Sequence, residues 1–318
     1  MSRQALVQVK HLTRYYSQTC AVNDVSFDLA KGEVLGFLGP NGAGKSSTMQ
    51  MITGNLAPGA GQVRIAGIDL LEQPKQAKRE IGYLPEQPPV YRELTVNEYL
   101  HYCARLNRIP RGHISSAVAT AKERTGLGDV GRRLIGTLSK GYQQRVGIAQ
   151  AIFLLPAVVI LDEPTVGLDP LQIREIRALI CELGREHGII LSTHILPEVQ
   201  ATCSRVQIIN RGKLVFADST AALQSRMNAT ALIAAFHDVP DLAALQQLAG
   251  VERVEALPEN RVRLHYGDSN PAEALVEQSV AQRWRLHELT AESRTLEQIF
   301  IELTCSEEQH THHGDSSQ

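Results

Sequence analysis

Eight consecutive residues, Gly39-Pro40-Asn41-Gly42-Ala43-Gly44-Lys45-Ser46, fit the pattern GxxxxGK[ST]. Glycines let successive backbone N–H groups curl around phosphate oxygens. A helix starting directly behind them, from about Ser47 to Thr53, adds the partial positive charge of its N-terminus. That spacing sends the Lys45 ammonium to β/γ-phosphates and the Ser46 hydroxyl to a Mg²⁺ ion. The alternative is a Gly-rich strand–helix turn. The apolar run on one side and the helix on the other favour phosphate.

Three further segments carry chemistry. Val158-Val159-Ile160-Leu161-Asp162-Glu163 ends an apolar run with two carboxylates. In a parallel sheet, ligands gather at the carboxyl ends of strands. Beside a phosphate loop, Asp162 would face the Mg²⁺ and Glu163 an attacking water; the other reading is a solvated strand end. Ser192-Thr193-His194 ends another apolar run. On position alone, His194 fits a structural side chain and a γ-phosphate contact equally well. Leu138-Ser139-Lys140-Gly141-Tyr142-Gln143-Gln144-Arg145 opens a helix with Ser139 as its N-cap. A cap with glycine beside it can bind anions through free N–H groups, but unaided the residues favour a plain capped helix.

These residues need strands and helices to place them. VLGFLG (34–39), Val158–Leu161 and Ile189–Leu191 are short, apolar and partly β-branched, as buried strands are. Asp169-Pro170 reads as an N-cap followed by proline at the first helical position. Ile173, Ile176, Ile180 and Leu183 then share one face, with Gly184 and Gly188 ending the segment. Strand, helix, strand in this order predicts an α/β parallel sheet up to about residue 220. Between about 88 and 150 the pattern is helical. Thr95 and Glu98 form a capping box, and Ile114, Ala117, Val118 and Ala121 make a second apolar face.

Beyond about 220 the order changes to strand (229–236), helix (241–249), strand (251–257), strand (261–266), helix (271–282) and strand (284–289). Pro258-Glu259-Asn260 makes the turn, and Asn270-Pro271 caps the second helix. This βαββαβ order is that of a small α+β, ferredoxin-like domain. Thr295 and Gln298 cap a final helix with Leu296, Ile299, Phe300 and Leu303 on one face. A polar tail fills 306–318, giving units at 1–220 and 221–305 ahead of it. The tail's His310, His312 and His313 invite a metal reading, but a solvated tail fits them better. No internal repeat is present.

Composition bounds the partners. The 318 residues carry 32 Lys+Arg against 34 Asp+Glu, a net charge of -2, which disfavours nucleic acid as the main partner. Arg132, Arg133 and Arg145 read as a solvated or interface face. The longest apolar stretch, Ala151–Leu161, is broken by Pro156 and falls short of the ~20 residues that span a bilayer. The start MSRQALVQVKHL has early charge and no apolar segment, so no signal peptide is expected. Five scattered cysteines (20, 103, 181, 203, 305), never spaced CxxC, fit a reducing cytosol.

Taken in order, five motifs resemble those of an ATP-binding cassette (ABC) ATPase subunit. Residues 39–46 look like its Walker A loop, LSKGYQQR (138–145) like its signature, VVILDEP (158–164) like Walker B, GLDP (167–170) like the D-loop and His194 like the switch histidine. The likeness covers roughly 1–220. LSKGY, TVGLDP and STHILPEV are similar, more narrowly, to subunits of exporter-type systems for drug export, sodium extrusion and gliding motility. TLEQIFIELT is similar to the accessory C-terminal segment of that subgroup.

The resemblance implies a P-loop ATPase domain with a helical insert, binding ATP and Mg²⁺. It implies that residues 39–46 and Ser47 hold the phosphates, that Tyr16 stacks on adenine and that Glu163 is the general base. Ser46, Asp162 and a loop residue at Glu86 would hold Mg²⁺. Two departures stand out. Lys140 and Tyr142 replace Gly and Gln of the common LSGGQ, and the family's Mg²⁺-sensing Gln falls on Glu86 rather than Gln87. The resemblance further implies a homodimer in which Ser139 and Gly141 contact ATP on the other protomer and Asp169 communicates across the interface. It also implies a separate integral-membrane permease docked by the helical insert, with the chain cytoplasmic on the inner face of the membrane. The rival reading, a soluble ABC regulator or mechanochemical ATPase, resembles chains with two cassettes or a long coiled coil. This chain has one such loop and no heptad run. A binding domain without turnover would not need Lys45, Asp162 and Glu163 together.

Overall fold

The computed structural model describes residues 5–227, 230–267 and 269–292. The predicted final helix (295–303) and the histidine tail lie outside the described residues. The chain divides into two compact units, Met1–Thr220 and Ala221–Gln318.

The first unit runs β1 (Ala5–Tyr16), β2 (Thr19–Ala30), β3 (Val34–Leu38), α1 (Lys45–Ile52), β4 (Ala60–Ile65), β5 (Ile68–Asp69), α2 (Pro74–Ala77) and β6 (Ile81–Leu84). It continues with α3 (Val96–Leu106), α4 (Arg111–Arg124), α5 (Lys140–Ala151), β7 (Val158–Asp162), α6 (Pro170–Leu183), β8 (Gly188–Thr193), α7 (Leu196–Thr202), β9 (Arg205–Asn210) and β10 (Lys213–Ser219). Helix α8 (Thr220–Met227) follows, a segment for which the sequence reading has no element.

Six strands form a sheet in the order β10-β9-β3-β8-β7-β6. From β9 to β6 neighbours are parallel, and β10 returns antiparallel. Strands β3, β7 and β8 are buried along their whole length, the setting that demands unbroken apolar runs. The predicted parallel sheet is therefore present, but it is accompanied by a second, antiparallel sheet in the order β2-β1-β4-β5. One core joins the two: Val7, Phe27 and Val63 from the antiparallel sheet cluster with Phe37, Ile160 and Ile190 from the parallel one and with Met49 and Ile52 of α1.

Helices α3, α4 and α5 build the insert on their own core, which includes Leu100, Ile114, Val118 and Val146. The capping box of α3 is complete: Thr95 N–H donates to Glu98 at 2.8 Å and Glu98 N–H to the Thr95 hydroxyl at 3.2 Å. Arg145, expected on a solvated or interface face, is largely covered and not solvated. Its guanidinium donates to Thr125 O and to the Glu175 carboxylate, both at 2.9 Å, and so ties α5 to the end of α4 and to α6.

The second unit has β11 (Ala231–Phe236), α9 (Leu242–Gln246), β12 (Val251–Leu257), β13 (Arg261–Tyr266), α10 (Ala272–Gln282) and β14 (Leu286–Glu292). Its sheet is antiparallel throughout, in the order β12-β13-β11-β14. That order gives the predicted βαββαβ its ferredoxin-like form. Leu232, Ala234 and Phe236 of β11 and Val262, Leu264 and Tyr266 of β13 pack with Leu245 and Leu275 of the two helices. The alternate residues of β13, Arg261, Arg263 and His265, are polar, and Arg263 is forked by Glu292 (2.7 and 3.0 Å) with Glu255 at 3.2 Å.

Candidate functional site

Three parallel strands end side by side and deliver the site. Strand β3 leads into the loop 39–46, β7 ends in Asp162, and β8 ends in Thr193 just before His194; Leu38 pairs with Thr193, and Asp162 with Ser192. The loop is anchored to β8 by Gly39 N–H donating to Thr193 O at 3.3 Å. Two glycines are required by space. A Cβ at Gly39 would strike Ile209 O, and one at Gly44, where φ is 107°, would strike Ala21 O. Gly44 also sets the start of α1. Its left-handed conformation makes it the N-cap, so the helix begins at Lys45 and not at the predicted Ser47.

A cavity of about 270 Å³ opens above this loop. It is lined by Asn41, Gly42, Gly44, Lys45, Ser46 and Ser47 from the loop and the start of α1, together with Ala21, Glu86, Glu163, Val166 and His194. The Lys45 ammonium donates to Gly39 O at 2.8 Å and to Pro40 O at 3.2 Å, and lies 3.4 Å from Glu163 Oε1. The other carboxylate oxygen, Oε2, is 2.9 Å from His194 Nδ1. Glu163 reaches this position from an unusual backbone, with φ of 48°. A bulky L-residue in the left-handed region costs about 1–2 kcal/mol, and such strain is concentrated where a side chain must be aimed.

Asp162, the last residue of β7, is buried and accepts from the Ser192 hydroxyl at 2.7 Å. Burial raises its carboxyl above the usual range, while hydrogen bonds from Ser192 and Ser46 pull the other way. Burial also pushes the nearby Tyr83 phenol to about 12, with the Asp162 charge adding to the effect.

Of the other predicted residues, Gly39, Pro40, Ala43, Tyr16, Ser139, Gly141 and Asp169 are not among the residues that line the cavity. Glu86 lines the cavity and Gln87 is not among its lining residues. Tyr16 ends β1 outside the lining; its hydroxyl is 3.5 Å from Ser47 Oγ, and the Arg14 guanidinium covers its ring at 5.3 Å. Ser139 caps α5 by accepting from Tyr142 N–H at 3.4 Å, and Asp169 caps α6 by accepting from Gln172 N–H at 2.9 Å. Gly141 packs on Gln172, and the Lys140 ammonium lies over Gly167. The segments around Ser139–Gly141 and Gly167–Gln172 thus meet each other, and none of these residues lines the cavity of their own chain.

A further buried group, not anticipated from the sequence, adjoins the segments that carry Glu163 and His194. Glu198 of α7 is 1% exposed and accepts from the hydroxyls of Thr165 and Thr193, the latter at 2.8 Å. An acidic residue inside the apolar stretch Ile195–Val199 was the available signal. Among the described residues, no group of three or more His, Cys, Asp or Glu is arranged to hold a metal ion without help.

Comparison with known proteins agrees with this geometry. The sequence profile of the family described as ABC transporter matches residues 22–166. The chain is 31% identical over 313 residues to the uncharacterized ABC transporter ATP-binding protein YhcH of Bacillus subtilis (strain 168), covering 98% of this chain and 100% of that one. It is 38% identical over 212 residues to the bacitracin transport ATP-binding protein BcrA of Bacillus licheniformis, covering 66% of this chain and 68% of that one. A solved ATP-binding subunit of an ABC transporter superposes with a TM-score of 0.62 at 32% identity, covering 70% of this chain and 92% of that one. The chain belongs to the ABC transporter family, as an ATP-binding subunit with ATPase activity.

Proposed function

We propose that this ATPase drives a separate integral-membrane permease by closing two copies of itself around two ATP molecules. The observation that carries the reading is the meeting of Lys45, Glu163 and His194 in one cavity that Ser46 also lines, with the buried Asp162 next to Glu163 at the end of β7. In this reading Glu163 takes a proton from the attacking water as its oxygen bonds to the γ-phosphorus and the bond to the β–γ bridging oxygen breaks. His194 orients the carboxylate from its free side. The γ-phosphate draws Lys45 away from Glu163, and Lys45 and the loop N–H groups then stabilise the charge on the phosphoryl oxygens.

Mg²⁺ is implied by the family, and the residues present fit it. The Asp162 carboxyl is buried and raised, with Ser46 acting to lower it, and Ser46 and Glu86 line one cavity. These are hard oxygen donors. Ser46, Asp162 and Glu86 would hold the ion, which would supply neutralisation of phosphate charge.

Ser139, Gly141 and Asp169 lie off their own chain's cavity, which supports a role on a partner protomer's ATP. The likeness to a protein named for bacitracin transport, together with LSKGY and STHILPEV, supports an exporter-type system. Among the described residues no helix is long and apolar enough to cross a membrane, which leaves the crossing to the permease. The helical insert is then the docking surface, on the cytoplasmic face. We assign catalysis to 1–220 and an accessory, regulatory or dimerising role to 221–305. Sedimentation of full-length Glu163→Gln tests the dimer. Saturating Mg-ATP should double its mass, and a species that remains monomeric would overturn this reading.

A further inference from the structure

We infer that Glu198 is a positioning residue for hydrolysis: it ties together the two loops that carry Glu163 and His194 and so fixes their contact. The inference rests on the proposed roles of those two residues.

Glu198 lies in the short helix α7, almost wholly buried at 1% exposure. Its two carboxylate oxygens serve two different loops. Oε1 accepts from Thr165, two residues beyond Glu163. Oε2 accepts from Thr193 at 2.8 Å, one residue before His194. Both threonines are buried, at 2% and 0% exposure. The Thr193 hydroxyl also accepts from Ile195 N–H at 3.1 Å, which turns its own proton towards Glu198. The Thr165 carbonyl accepts from Leu168 N–H at 3.2 Å, so the tethered residue is also the hinge of the turn leading to Asp169.

A closed circuit results. On the cavity side the two loops meet through His194 Nδ1 and Glu163 Oε2 at 2.9 Å. On the core side they meet through Glu198. A buried carboxylate is costly unless it is paired and hydrogen-bonded. The cation beside it, Arg177, is 3.9 Å away, too far for a hydrogen bond. The two threonines are therefore its principal partners. What a carboxylate offers here, and an apolar residue of similar size does not, is two acceptors facing opposite ways. The charge is retained where it sets the separation of two loops, directly under the reacting groups. Glu198 holds Thr193 by its hydroxyl, whereas the phosphate loop meets Thr193 at its backbone carbonyl, which accepts from Gly39 N–H at 3.3 Å and is fixed in the β3–β8 pairing, so loss of the tether should act on turnover far more than on ATP binding.

The test uses the full-length chain and compares Mg-ATP hydrolysis with ATP affinity by calorimetry. Glu198→Ala should lower kcat by about 10- to 100-fold, the scale of a small misplacement of reacting groups, with KM for ATP changed by less than about twofold. Glu198→Gln keeps one acceptor and offers an N–H that the other threonine can accept, so it should retain most of the rate. Glu198→Ala combined with His194→Ala should be no slower than His194→Ala alone, which a merely structural role would not produce. Should Glu198→Ala fail to fold, Thr193→Val cuts one tether at nearly constant shape and should show the same kcat-selective loss. Three results would overturn the tether: a wild-type rate in Glu198→Ala or Thr193→Val while His194→Ala is impaired, parallel loss of rate and ATP affinity, or full additivity in the double variant. A wild-type rate in His194→Ala would instead remove the reading of the site on which the tether stands.

Discussion

Each oxygen of the Glu163 carboxylate has its own partner: Lys45 Nζ stands 3.4 Å from Oε1, and His194 Nδ1 stands 2.9 Å from Oε2. Residues far apart in sequence are brought to one carboxylate because the strands preceding them, β3, β7 and β8, are immediate neighbours in the sheet. The ammonium that would serve phosphate is engaged with the carboxylate that would serve water. A phosphate entering the loop competes for the first and releases the second.

Lys45→Ala should weaken ATP binding by about 10- to 100-fold, the worth of one hydrogen bond to a charged group. It also leaves Glu163, 6% exposed, without its ammonium partner, so the variant should unfold at lower temperature than wild type. Nucleotide titration by calorimetry checks the first effect, and unchanged affinity would remove Lys45 from the site.

Glu86 and Gln87 are sequence neighbours, and it is Glu86 that lines the cavity. Glu86→Ala should therefore impair Mg²⁺-dependent hydrolysis more than Gln87→Ala. The ranking is read from turnover against Mg²⁺ concentration, and the reverse order would mean that the loop presents its other residue to the ion.

Asp162 predicts a pH dependence with a definite sign. Burial raises its carboxyl in the folded protein, so ionisation costs the folded chain more than the unfolded one. The contribution to stability is fullest below the ordinary carboxylate range and is lost as pH rises through the raised folded value. Asp162→Asn escapes this cost and still accepts from Ser192. Without Mg²⁺ at pH 7 it should melt higher than wild type, by about 2–4 °C for each kcal/mol relieved. That advantage should vanish towards pH 4 or below, while Mg²⁺-dependent hydrolysis is lost. Melting curves over this range check it, and a lower melting temperature than wild type at pH 7 would contradict it.

Much of this architecture is written locally. The phosphate loop is contiguous, and β3, β7 and β8 are buried on both faces, so their apolar runs are unbroken. Asp169-Pro170 announces α6 because cap and first turn are adjacent residues. The antiparallel sheet is harder to read. His11 and Asp24 adopt φ of 53° and 55°, and the β1–β2 register shifts between Val9 and Leu12, so the alternation that marks a half-buried strand slips out of phase. Arg145 looks like a surface charge until its partners Thr125 and Glu175 are brought to it by other helices. Glu198 is hidden for the same reason: what it does depends on two hydroxyls delivered by two distant loops.

The central claim is that Glu163 is the base for water attack, and Glu163→Gln tests it most directly. The amide keeps the size and can still hydrogen-bond His194, but cannot take the proton. ATP affinity by calorimetry and Mg-ATP turnover should be measured on the same preparation. The account predicts affinity equal to or above wild type, with turnover reduced by at least about 100-fold. A variant that binds ATP normally and hydrolyses it near the wild-type rate would contradict it.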